Sequence, residues 1–87
     1  MRLTHRQNEA ELSRLHARYR AAWRRLLVEV GRWQTLQMEG QADAISLREA
    51  EVAAHTAEIQ YRQARNAFAD YLLEHLARER ESVLVGS

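Results

Sequence analysis

Residues 50–75 read AEVAAHTAEIQYRQARNAFADYLLEH, and the spacing within this stretch decides the fold. Ala50, Ala54, Ala57, Tyr61, Ala64, Phe68, Tyr71 and His75 follow one another at alternating steps of four and three. A 3.5-residue repeat sustained over this length is the pattern of a left-handed coiled-coil seam. The expected helix seam is therefore Ala50, Ala54, Ala57, Tyr61, Ala64 and Phe68. Its alanines let two backbones approach toward the short end of the usual range of about 8–10 Å. Ala53 and Ala67 flank it, and Leu72, Leu73 and Leu76 thicken it toward its end.

Upstream, Leu12, Leu15, Tyr19, Ala22, Leu26, Val30 and Trp33 also recur at helical steps, with Trp23, Leu27 and Leu36 widening the stripe. Nothing alternates with period two, so no strand is expected. Thr4 and Gln7 form a T-x-x-Q capping box that would start a first helix near His5. Gly31 interrupts only the composition, and reads as a tolerated helical glycine or a point of close packing. Gly40 follows Met38-Glu39 and precedes Gln41-Ala42-Asp43, so it reads as a helix C-cap and turn. Two residues compete to start the second helix: Asp43, and Ser46 with its capping-box partner Glu49. The expected fold is all-α, a single domain over 1–87, with helices at about 5–38 and 43–80. A turn lies around 39–45 and a short flexible tail over 82–87. Each helix is about 50 Å long at 1.5 Å per residue.

Composition agrees. The chain has 87 residues, no proline, no cysteine and three glycines. Disulfides and thiolate metal sites are thereby excluded. A chain this short buries only about 60–65% of the surface its unfolded form exposes, so its own core is thin. No apolar run approaches the roughly 18–20 residues a bilayer-spanning helix requires. The first residues lack the apolar stretch of a secretory signal. A cytoplasmic location is expected if Met1 is the native start, and a periplasmic one if a signal peptide has been removed.

All thirteen basic residues are arginine, a bias that GC-rich coding produces and that also suits bidentate contacts to carboxylate or phosphate. Their distribution is uneven. Residues 1–38 hold eight Arg against three Glu, and residues 39–87 hold five Arg against nine acids. A basic and an acidic helix attract each other side by side, and interhelical ion pairs are expected. Arg14, Arg18, Arg25 and Arg32 form a strip about 27 Å long on the first helix. These four are candidate phosphate contacts in a nucleic-acid-binding alternative.

Chemistry-bearing patterns are few. There is no Gly-rich phosphate loop and no strand-to-helix nucleophile, and a two-helix chain offers little concave surface, so no catalytic residues and no cofactor are expected. His55 with Glu58, and His75 at a seam position, are weak metal candidates; a Glu-x-x-His motif of the kind that builds di-iron bundles is absent. Two helices cannot cover both stripes. Trp23, Leu27, Trp33 and Leu36 are expected to remain as an interface, since exposed apolar patches of this size mark association. A homodimeric four-helix bundle, or docking of one hairpin on a larger protein, would cover them.

Met38-Glu39-Gly40 followed by Ala50, Ala57, Tyr61, Ala64 and Phe68 resembles the periplasmic helical hairpins of the TolC-like outer-membrane efflux family, over about residues 26–76. Leu3-Thr4-His5-Arg6-Gln7 is similar to the L-T-x-x-Q motif of Spy/CpxP-like heavy-metal-resistance hairpins. Both resemblances imply a long helical hairpin. The second also implies a periplasmic dimer that senses metal or holds misfolded clients. The residues themselves point to a non-catalytic protein–protein interaction or assembly module.

Overall fold

A computed structural model describes residues 5–85, with side chains over 6–78 and at 80. The chain forms two helices, α1 (His5–Glu39) and α2 (Ala44–Val85), laid antiparallel in a hairpin measuring 67 × 20 × 17 Å. Thr4 of the expected capping box lies outside the described residues, as do Gly86 and Ser87.

The turn is tighter than the sequence suggests. Gly40 alone carries the chain out of α1, at φ +66°, a left-handed conformation that costs glycine nothing. Three residues later Asp43 settles the competition for the cap. Its Oδ1 accepts a hydrogen bond from the Ser46 amide at 2.6 Å, and its carbonyl accepts one from the Leu47 amide at 3.1 Å. Ser46 thus lies inside the first turn of α2. At the other end α2 continues to Val85, past the expected end near residue 80. No proline or glycine interrupts it before Gly86, so the backbone has no reason to leave the helix.

Between the helices the core is narrow. Leu15, Ala50, Ala54, Ala57 and Ala64 are its buried residues, and Ala64 is only 1% exposed. Around this alanine spine the aromatics interleave. Tyr19 packs against Tyr61 and Phe68 with ring centroids 5.7 Å apart in each case, and His16 stacks on Phe68 at 5.2 Å. Offset and tilted pairs at such distances add to what area burial contributes. Farther from the turn, the Tyr71 hydroxyl donates to both the carbonyl and Oδ1 of Asn8, each at 3.1 Å. These cross-helix contacts fix one register from the turn to Asn8.

That register makes α1 a strict four-three ladder. Asn8, Leu12, Leu15, Tyr19, Ala22, Leu26, Glu29, Trp33 and Leu36 all lie buried or half-buried. Glu29 is the unexpected member, because the apolar stripe of the sequence passes through Val30. Its Oε2 is shielded from solvent and has no hydrogen-bond partner among the described residues. Gly31 is exposed, and a Cβ built there would meet nothing within 4 Å. It is a tolerated helical glycine and not a point of close packing.

Candidate interaction surfaces

The hairpin has two long flanks, one on either side of its seam, and they differ in chemistry. On the first, Trp23 packs over Tyr61 with ring centroids 5.2 Å apart and remains 43% exposed. A groove of about 320 Å³ opens beside it, farther from the turn, lined by Glu9, Leu12, Ser13, His16, Phe68 and Leu72. A second groove of about 250 Å³ lies nearer the turn, lined by Val30, Trp33, Glu51, Ala54, His55 and Glu58. The flank therefore reads, from open end to turn, as apolar groove, tryptophan, then a groove edged by two carboxylates. Arg65 adds a cation over the Tyr61 ring at 5.8 Å.

The structure divides the four residues expected at an interface. Trp23 and Leu27 are exposed, Leu27 at 55%. Trp33 and Leu36 turn inward and are half-buried in the seam near the turn. The six expected seam residues hold their places: the four alanines are buried, and Tyr61 and Phe68 are half-buried around them. An outer row on α2 escaped the sequence reading. Ile45, Val52, Ile59 and Leu73 are all exposed, at seven-residue steps interrupted only by Asn66. The seven-residue period was present to be read, but the stronger alanine seam of the same helix masked it.

The opposite flank carries the arginines. Arg14 is tied to Glu11 by a bidentate pair, Nε to Oε2 at 3.0 Å and Nη2 to Oε1 at 2.5 Å. That contact lowers the Glu11 carboxyl below its ordinary range and raises Arg14, the hydrogen bond being the larger cause for both. Arg18, Arg25 and Arg32 are exposed at seven-residue steps. The interhelical ion pairs expected for them do not form. Between described side chains the ion pairs are Arg14–Glu11 and Arg62–Glu58, each within one helix. The reason is geometric. Arg18, Arg25 and Arg32 share their flank with Ala53, Gln60 and Ala67 of α2, whereas Glu51 and Glu58 face the other way. Between Leu12 and Met38 the one acid of α1 is Glu29, and it is turned into the seam.

The histidine candidates stay apart. Glu58 accepts Arg62 at 2.6 Å, and His75 stacks parallel to the Tyr71 ring at 6.4 Å. Among the described residues no three His, Asp or Glu side chains stand close enough together to hold a metal ion. Near mid-helix the Tyr19 phenol is held above its ordinary pKa, first by its hydrogen bond with Tyr61 and then by its electrostatic interaction with the same residue. No described helix is long and apolar enough to cross a membrane. No family model matches the chain, and neither a curated protein nor a solved structure matches it.

Proposed function

We propose that the chain is a non-catalytic assembly module whose hairpin associates with a second copy of itself. The observation that carries this reading is the exposed tryptophan flank. Among the described residues the buried core is one leucine and four alanines, which leaves Trp23, Leu27 and Leu76 in water, each more than two-fifths exposed. Association removes that surface at about 25 cal/mol per Å² of apolar area, before the costs of association are counted. The uneven charge favours a like partner, because a basic α1 laid on an acidic α2 of another copy is attractive.

Light scattering over a hundredfold concentration range tests it, with the 10.2 kDa chain as the unit. A mass settling at twice that unit supports the reading, and a monomer throughout overturns it. Trp23→Ala should weaken association by at least tenfold in Kd while leaving the helical signal of the chain intact, the behaviour of a buried aromatic anchor.

The arginine flank favours a second reading, contact with a nucleic-acid backbone. Arg18, Arg25 and Arg32 stand about 10 Å apart along α1 and face no carboxylate across the hairpin, so a phosphate chain can displace their counterions. Binding to a duplex should then fall steeply with salt, with a slope set by the number of arginines engaged. Affinity that is absent at low salt, or flat with salt, removes this reading and leaves the first untouched.

A further inference from the structure

We infer that α2 pairs with α2 of a second copy through its outer row, parallel and in register, about a two-fold axis running along the helices. The inference takes its partner from the self-association proposed above and rests on that reading, but the face it uses is separate from the tryptophan flank. Ile45, Val52, Ile59 and Leu73 are 71, 52, 45 and 65% exposed, and Asn66, also exposed, stands in step between the last two. Rungs of this row follow one seam residue by two positions and another by five: Ile59 follows Ala57 and Ala54, and Asn66 follows Ala64 and Tyr61. At about 100° per residue, the two offsets together point a rung directly away from α1. A helix carries polar residues on that face when water is its only neighbour. Isoleucine and valine do not serve helicity there either, since branching at Cβ lowers it. The matching row on α1 is Ala17, Arg24, Gly31 and Met38, so a sustained row of large apolar residues is confined to α2.

Two observations select a parallel copy as the occupant. The first is Asn66. With the two-fold axis along the helices every rung meets its own counterpart, so Asn66 meets Asn66 and the two amides hydrogen-bond to each other. An antiparallel pair that keeps every rung sets Asn66 against Val52, where it loses its water and gains no partner. The second is charge. Arg48, His55 and Arg62 stand three residues after rungs, on one side of the row, and Glu49 and Asp70 stand four residues after rungs, on the other. All five are exposed. The parallel two-fold lays the arginine side of each helix along the acidic side of the other, whereas an antiparallel one lays arginine along arginine. The contact is isologous and closed, each copy offering the same row.

The absence of cysteine makes the orientation directly testable. Ile45→Cys and Leu73→Cys each replace an exposed residue, so both variants should keep the helical signal of the chain. In a glutathione redox buffer, I45C alone and L73C alone should each give a disulfide-linked dimer in high yield. Their mixture should give little heterodimer, because the two sites lie about 42 Å apart along α2, far beyond the reach of a disulfide. A mixture that links mainly I45C to L73C overturns the parallel orientation. Val52→Glu adds a readout without a covalent bond. In a Trp23→Ala background it should weaken the remaining association by at least tenfold in Kd, since the pair would bury two unpaired carboxylates. An unchanged Kd shows that the outer row is no interface. A protein that scatters light as a dimer yet links to itself at neither site overturns the inference and leaves self-association standing. A protein that scatters as a monomer and links in no combination overturns both.

Discussion

At the scale of single residues, the end of α1 and the start of α2 are set by two side chains with opposite requirements. Gly40 is there for what it lacks, a Cβ that would clash at φ +66°. Asp43 is there for its oxygen, which occupies the free amide of Ser46. Hydrogen bonding from Ser46, through its side chain first and its amide second, holds the Asp43 carboxyl below its ordinary value of 3.8. The sign follows from linkage. A carboxyl depressed in the folded state contributes stability that is complete above its unfolded pKa and is lost as pH falls through the folded one. Asp43→Ala should accordingly lower the melting midpoint by a few degrees at neutral pH, and the gap to the parent should narrow below about pH 4. Thermal melts followed by circular dichroism at neutral and acid pH measure both. A gap of constant size across that range would mean that the charge plays no part in the cap. Sequence alone left Asp43 and Ser46 as rival caps, because both are good capping residues and only the backbone shows which amide goes unpaired.

At the scale of the helices, the alanine seam of α2 was fully legible, since its four-three repeat needs nothing beyond counting. Ala57 is 2% exposed, with a helix directly across from it. Ala57→Leu should overpack the seam and cost on the order of 1–3 kcal/mol, to be read from chemical denaturation. An unchanged midpoint would show the helices standing farther apart than the alanines imply. The seam of α1 was only partly legible. Its ladder steps from Leu26 to Glu29 to Trp33, and a charged residue in that place breaks the apolar pattern that the eye follows. What puts Glu29 inward is the register imposed by its neighbours, with Tyr19 held by Tyr61 and Phe68 on one side and the turn on the other. Trp33 and Leu36 follow from the same register. A stripe wide enough to serve two faces does not say which of its members goes to which, and α2 claims the two nearest the turn.

At the scale of the whole molecule, the charge asymmetry between the halves was legible, but its arrangement in space was not. Net charge per helix suggests neutralisation across the seam. The fold instead sets Arg18, Arg25 and Arg32 on one flank, and on the other Glu51 and Glu58 beside Arg62 and Arg65. The helices are held together by alanine packing and aromatic contacts, and the charges are left to act outward. High salt should therefore barely shift the melting of an isolated hairpin, while it weakens any association that depends on those flanks.

Folding order follows from the turn. Every contact across this hairpin closes a loop around Gly40–Asp43, and the loop widens steadily from the turn to the pair formed by Asn8 and Tyr71, 63 residues apart in the chain. Closing a loop costs more entropy the longer it is. The molecule is thus built to zip: the turn forms first, the alanine rungs near Ala50 next, and the aromatic rungs last. Protection of amide hydrogens should fall along the same direction, so the end of the hairpin that carries the apolar groove is also the end best able to open and admit another chain.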